Sequence, residues 1–433
     1  MLFKNITVVG ENYEVFKNAN LLVEGEKIIY IGNEMPKDYE GEIFDGENKI
    51  AMPGYYNLHS HVPMTLIRGY GEGLPLKRWL EERMFPFEDL MSADDMYWGS
   101  MLGIAEMLAS GAVSFNDMYM ETQAITKSVE ETGIKANIAR ACTSFSDDVH
   151  FQDVDEWEAI HFLQDYMKNS SSNRIIGECS IHAEYTSKET LVREVAEYSA
   201  KNGLNMHIHL SETQNEHKEC KTRHMGMTPT EWFDYCGVFN SPTIAAHCVC
   251  VEERDMEILA KHKVTVAHCP SSNLKLGSGI APIKEMIEKG IRVGIGTDGA
   301  ASNNNLNMHE EVNLASILHK GVNKNSEDFG PQKMLKMACE DAAAAQGRND
   351  CGVLKVGNKA DIVVFDLNKP HLCPVYDALA TIMYSANASD ICLTMVDGKV
   401  LYKNGVYTTI DIEKVLFNAN RIRDEKLAIL NKR

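Results

Sequence analysis

The sequence predicts an α/β protein: a (β/α)8 barrel of the TIM type, carrying a small β-sandwich domain built from both chain ends. Three observations predict it. Eight β-rich runs alternate with helical patterns through the middle of the chain. Two β-rich, glycine-punctuated ends flank that middle. Polar, chemistry-bearing residues recur at the carboxyl ends of the predicted strands, where barrels of this type place their sites.

At the amino end, Ile6–Val9, Ala19–Val23 and Lys27–Ile31 read as strands broken by Gly10, Gly25 and Gly32. The texture returns in Ala360–Phe365 and Ile391–Val396, with turns at Gly357-Asn358 and Asp397-Gly398. We therefore expect one composite β domain from residues 1–52 and 352–410, a catalytic barrel over 53–351, and a carboxyl-terminal helix over 411–433. The predicted barrel strands are Tyr55–His59, Ala112–Asn116, Lys135–Ala139, Ile175–Ser180, Leu204–His209, Thr243–His247, Val264–His268 and Arg292–Gly296. Between them, Ser92 caps a helix with Asp95 three residues on, and its apolar stripe Met101, Leu102, Ala105, Leu108 runs out near Gly111. Thr186 with Glu189 reads as a second capping box, for a helix that ends at Gly203.

Composition narrows the function. Among 433 residues, 43 Lys+Arg face 62 Asp+Glu, giving a formal net charge of −19. Such a balance argues against nucleic-acid and membrane-surface partners, which call for basic patches. No run of 18 apolar residues occurs, so no membrane span is expected, and Met1–Asn5 lacks the look of a secretory leader; a cytoplasmic address is the default. The 11 cysteines include no C-x-x-C pair, which fits reduced thiols and leaves any metal to His and carboxylate ligands.

Such ligands are present. The first strand ends in His59-Ser60-His61, and residues two apart on a strand share a face, so both imidazoles can enter the lumen. The fifth strand ends in His209, the sixth in His247 and the eighth in Thr297-Asp298. Imidazoles and a carboxylate from separate strand ends make a plausible nitrogen/oxygen site for one divalent ion, Zn²⁺ first, with Fe²⁺ and Mn²⁺ allowed by the same ligand types. His207, two residues inward of His209, reads as barrel packing and not as a ligand. His268 reads as a structural histidine, and Ser302 either approaches the ion's water or caps a turn.

The run Pro53-Gly54-Tyr55-Tyr56-Asn57-Leu58-His59-Ser60-His61 resembles the P-G-x-x-[DN]-x-H-x-H opening of the amidohydrolase superfamily. His209-Leu210-Ser211-Glu212-Thr213, Ala246-His247-Cys248 and Gly296–Asn304 are similar to its later signatures. The last run, with Pro75–Leu80 and Phe85-Pro86-Phe87-Glu88, looks most like the 5′-methylthioadenosine/S-adenosylhomocysteine deaminases, and the likeness extends over almost the whole chain, including Gly357–Asp361. The resemblance implies metal ligation by His59, His61, His209 and Asp298. The region around Glu178–Glu184 contains no lysine to bridge two ions, which favours a single one. It further implies hydrolytic removal of the 6-amino group of an adenosine derivative by a metal-activated water, with Glu212, His247 and Asp298 as catalytic groups. Glu212 would protonate ring N1, Asp298 would accept and return a proton, and His247 would steady the attacking oxygen.

For substrate binding it implies Glu88 on the ribose hydroxyls, with Arg140 and His182 lining the nucleoside pocket. Trp79 packs either on an apolar 5′ end or in a helix core, and Arg140 has a surface salt bridge as its alternative. The loop after the third strand reads Ala141–His150, with Asp147 and Asp148 where a second arginine is usual in the family. If these acids lie at the pocket mouth they repel a 5′ carboxylate, which sets S-adenosylhomocysteine below methylthioadenosine, 5′-deoxyadenosine or adenosine. Guanine-type bases and chloro- or amino-triazines are the alternative substrates, and a scaffold without catalysis is the alternative class. The expected partner is a small nucleoside, and association into homo-oligomers stays open.

Overall fold

The computed structural model describes residues 1–36 and 39–432. Eight parallel strand positions form the barrel: Tyr55–Ser60, Ala112–Met118, Lys135–Ala139, Ile175–Gly177 continued by Cys179–Ile181, Met206–Leu210, Thr243–His247, Thr265–His268 and Arg292–Ile295. The ladders run as two sheets, and polar links join the last strand to the first. Asp298 N–H donates to the His59 carbonyl at 2.9 Å, while Thr297 N–H donates to Asn57 Oδ1 at 3.0 Å. The fourth strand, expected to be continuous, breaks at Glu178. That carboxylate turns inward and accepts from Asn116, Asn137 and Asn205 at 2.8, 2.7 and 3.0 Å. Burying it without those amides would be costly; its own N–H still donates to the Ile138 carbonyl at 2.9 Å, and from Cys179 the strand pairs on its other side with the fifth strand.

Ser92 caps Ala93–Ala109 as expected, with Asp95 completing the reciprocal box. The second expected box does not form. Thr186 Oγ1 is taken up by Ala183, and the helix Glu189–Asn202 starts two residues later, with Lys188 at its cap position. Gly203 ends that helix at φ 64°, a left-handed conformation that glycine adopts without steric cost.

Strands from both chain ends share one continuous nine-stranded sheet, in which Lys49–Pro53 pairs with Ile362–Asp366. Asp397 (φ 46°) and Gly398 (φ 73°) make the two-residue hairpin turn between Ile391–Val396 and Lys399–Lys403. The period-two alternation sorts the two faces of this sheet. Ile362, Val364, Leu393 and Met395 join Phe3, Ile6, Val8 and Leu21 in a core belonging to the sheet itself. Ile50, Met52, Val363 and Phe365 point the other way, into the barrel's core. Beneath the barrel, Lys135 pairs with Asp361 and, at 2.9 Å, with Asp397, while Tyr56 donates its hydroxyl proton to Asp361. This buried charge group fixes the sheet to the barrel floor, opposite the end where the strand termini carry their chemistry. Every cysteine is a free thiol, and all but Cys373 are buried. Among the described residues, no helix is long and apolar enough to cross a membrane.

Candidate active site

Three strand ends, the first, fifth and eighth, bring His59, His61, His209 and Asp298 into contact. His61 Nε2 lies 3.3 Å from His209 Nε2 and 3.2 Å from Asp298 Oδ1, and His59 Nε2 lies 3.4 Å from the same oxygen. Hydrogen bonds on the far side of each ring say which nitrogen carries the proton. His61 Nδ1 faces the Met118 carbonyl at 2.6 Å and His209 Nδ1 faces the His182 carbonyl at 2.7 Å. A carbonyl only accepts, so Nδ1 is protonated in both rings and each Nε2 offers a lone pair to the centre. His59 Nδ1 meets His207 Nε2 at 2.9 Å, and His59 Nε2 is buried with no hydrogen-bond partner. An orphaned, fully buried imidazole nitrogen aimed at two more lone pairs and a carboxylate oxygen is the donor set a divalent ion takes. The residues present fit such an ion.

Asp298 sits at φ 60° and His247 at φ 71°, with Ser211 at φ 48° just after His209. Side chains other than glycine rarely occupy this region, at roughly 1–3 kcal/mol each, and such strain clusters where a site must be aimed. Here it turns the chain sharply at the strand end and keeps the side chain over the barrel mouth. Asp298 Oδ2 accepts from Ser272 and Ser302 hydroxyls at 2.6 and 2.9 Å, and Oδ1 accepts from Gly299 N–H at 2.8 Å. Burial works to raise its pKa, and the imidazoles of His59 and His61 overcome this, holding the carboxyl well below its ordinary range. Burial pulls His59 down to about 3 and His209 well below the usual range. On His61 burial acts in the same sense, but the Asp298 carboxylate outweighs it and sets the ring at about 9, so a proton and a cation compete for that Nε2 lone pair.

Glu212 reaches the same chamber from the loop after the fifth strand. Its Oε2 is 3.9 Å from His247 Nε2, and Ser278 donates to its Oε1 at 3.3 Å. Burial raises its pKa, so it holds a proton more readily than an exposed glutamate. His247 Nδ1 donates to Asn273 Oδ1 at 2.9 Å, leaving Nε2 as an acceptor toward the chamber.

A cavity of about 340 Å³ opens over these groups, lined also by Trp79, Glu88, Tyr119, Arg140 and His182. Trp79 and Glu88 are nine residues apart, which on an unbroken α-helix puts side chains about 180° apart. The turn Leu80–Met84 between Leu76–Trp79 and Phe85–Glu88 is a π-helix, whose wider winding brings both toward the cavity. Pro86, lacking an N–H, cannot donate to the carbonyl four residues back, which favours the wider turn. Glu88 Oε1 accepts from the Tyr119 hydroxyl at 2.5 Å. His182 sets its ring edge-on to His209 with centroids 4.8 Å apart.

One expectation needs correction. Asp147 and Asp148 are exposed and do not line the cavity, because the loop turns them outward; the acid at that wall is Glu156. Arg140 does line the cavity, yet its Nε donates to Glu156 at 3.2 Å and its Nη2 to Asp155 at 2.8 Å, so pocket position and salt bridge are both found. Ser302 reaches Asp298, and His268 pairs with buried His319 at 3.0 Å away from the ligand cluster. The sequence reading missed Ser272, Asn273, Ser278 and Tyr119. Ser272 and Asn273 fall in the helix Pro270–Lys275 right after the seventh strand, a position that was itself the available signal.

This fold with imidazole and carboxylate donors at its strand ends defines the class, a barrel hydrolase of the metal-dependent type. The chain matches the model of the amidohydrolase family over residues 50–401. It is 39% identical over 421 residues to a 5-methylthioadenosine/S-adenosylhomocysteine deaminase of Dictyoglomus turgidum, covering 97% of each chain, and 39% identical over 430 residues to one of Acetivibrio thermocellus, covering 98% of each. An adenosine deaminase structure from Xanthomonas campestris, with bound zinc, superposes with a TM-score of 0.92 at 27% identity, over 99% of this chain and 98% of that one. An atrazine chlorohydrolase from Arthrobacter aurescens shares the fold, with a TM-score of 0.88 at 22% identity over 98% of this chain and 99% of that one. The chain belongs to the amidohydrolase family and, within it, to the branch whose members are named 5-methylthioadenosine/S-adenosylhomocysteine deaminases.

Proposed function

We propose that the chain is a hydrolytic deaminase that replaces the 6-amino group of adenosine derivatives with oxygen and releases ammonia. The observation that carries this reading is one chamber holding three ligand-competent imidazoles, Asp298, a Glu212 whose pKa burial raises, and the diol-suited carboxylate of Glu88. The names of the relatives support the same reaction.

His59, His61, His209 and Asp298 would hold one divalent ion, zinc by the company of the Xanthomonas structure. When bound, it supplies a hydroxide at neutral pH by drawing the pKa of a water from about 15.7 toward 7. The protein's own groups do the rest. Glu88, oriented by Tyr119, accepts hydrogen bonds from the ribose hydroxyls, and Trp79 and His182 bound the nucleoside. Glu212 delivers its proton to N1 of the adenine, which makes C6 electrophilic. His247, oriented by its Nδ1 donating to Asn273, presents Nε2 to the attacking oxygen and steadies it by a hydrogen bond. Asp298 accepts the proton of the nucleophile and passes it to the departing ammonia. General acid–base steps of this kind contribute about 10²–10⁴-fold each. The free thiols throughout support a reducing, cytoplasmic setting.

The test is ammonia release by the zinc-loaded protein from 5′-methylthioadenosine, 5′-deoxyadenosine, adenosine, guanine and a chloro-triazine. The reading predicts turnover of the adenosines above the others. Preference for guanine or the triazine would overturn it.

A further inference from the structure

The wall of the cavity formed after the third barrel strand carries a charge arrangement that bears on which adenosine is taken. Among the described residues lining the cavity, Arg140 is the one lysine or arginine, facing the carboxyl groups of Glu88, Asp89, Glu156, Glu212 and Asp298. An anionic substituent on the nucleoside therefore has Arg140 as its cationic anchor. That anchor is already engaged. Its Nε donates to Glu156 Oε1 at 3.2 Å and its Nη2 to Asp155 Oδ2 at 2.8 Å, so one edge of the guanidinium is divided between two acids.

Asp155 and Glu156 open the helix Asp155–Asn169, where the helix dipole favours negative charge. They are not equivalent partners. The Asp155 side chain is 81% exposed and its attraction is screened by water, whereas that of Glu156 is 13% exposed and lines the cavity itself. With one positive and two negative groups, the cluster carries a net negative charge when both acids are ionised. An incoming carboxylate would have to displace Glu156 or sit beside it, and like charges brought together in a partly desolvated site are strongly disfavoured.

We infer that Glu156, by occupying Arg140, makes this chain select adenosines whose 5′ substituent is uncharged and disfavour those ending in a carboxylate. The inference rests on the deaminase reading above and names the substrate class within it. Glu156 acts on specificity through Arg140 and takes no part in the proton transfers.

Two measurements test it with the zinc-loaded enzyme. With the unmodified protein, kcat/KM is compared for S-adenosylhomocysteine and for its carboxamide, a near-isostere that lacks the negative charge; the amide is expected to exceed the acid by about tenfold or more. In Glu156→Gln, which keeps the shape and frees the guanidinium, the ratio of kcat/KM for S-adenosylhomocysteine over 5′-methylthioadenosine is expected to rise by about tenfold, and in Asp155→Asn by far less. Acid and amide turned over equally by the unmodified enzyme would overturn the inference whether or not the variant folds, as would a ratio unchanged in Glu156→Gln. Absence of ammonia from every adenosine would instead remove the deaminase reading and this inference together.

Discussion

His207 is the residue on which the tautomer of the His59 ligand turns. Its Nε2 lies 2.9 Å from His59 Nδ1, both rings are fully buried, and burial holds His207 well below the usual histidine range, so its ring is neutral and its Nε2 is the one atom placed to accept from His59 Nδ1 when an ion takes the other His59 nitrogen. With that acceptor present, the His59 proton rests on Nδ1 and the Nε2 lone pair faces His61 and Asp298. In His207→Phe the ring space stays filled but the acceptor is gone. Either His59 Nδ1–H is left buried and unpaired, at about 1–3 kcal/mol, or the proton moves to Nε2 and blocks the lone pair. Loss of such a supporting partner typically weakens metal binding by about 10–100-fold, which is about 1.4–2.7 kcal/mol. The assay is zinc competition against a chromophoric chelator at fixed pH. His207→Gln, whose side-chain oxygen can accept, should recover part of the loss. A zinc affinity within twofold of the parent in His207→Phe would refute the reasoning, since the tautomer would then not depend on His207.

Three further outcomes follow from the same geometry. Replacing Ser272 and Ser302 together by alanine strips both donors from Asp298 Oδ2; kcat/KM should fall by about 10–100-fold, and its acid limb should move to higher pH because a carboxylate that loses donors gains proton affinity. Glu88→Gln should raise KM for adenosine by about tenfold while changing kcat less, and should matter little for a 2′,3′-dideoxy analogue; an equal effect on both analogues would contradict ribose recognition. Burial lowers His319 to about 4, so this histidine contributes stability above its unfolded value of about 6.5 and loses it as the pH falls toward 4. Between about pH 7.5 and 5 that loss is about 2 kcal/mol, and urea unfolding of His319→Gln should show a correspondingly smaller drop than the parent.

Much of the architecture is legible in the sequence because it is local. The eight barrel runs carry strand chemistry between capped helices, and each predicted run overlaps an observed strand. The ligand candidates are legible for a related reason: position at a strand's carboxyl end is a local property that the barrel converts into convergence. What escaped the sequence depends on distant partners. Glu178 turns its carboxylate inward where asparagines from two other strands and from the residue before a third meet it, and Thr186 fails as a cap because Ala183 competes for its hydroxyl. Asp147 and Asp148 are expected at the pocket mouth because they stand in the loop after the third strand where the family usually has a second arginine, yet the loop turns them outward and the acids that hold Arg140 come from the next helix. The π turn that brings Trp79 and Glu88 to one cavity is likewise a matter of winding, for which Pro86 is a signal that helical spacing alone does not read.

The most direct measurement of the central claim is the fate of water oxygen at C6. The zinc-loaded protein is incubated with 5′-methylthioadenosine in ¹⁸O-water, and nucleoside and ammonia are followed together. The account predicts a 6-oxo product carrying one ¹⁸O at C6 and one ammonia per turnover, with both lost when a chelator removes the metal or when Asp298 is replaced by alanine. Cleavage of the nucleoside elsewhere, or deamination undiminished in the chelated protein, would contradict it.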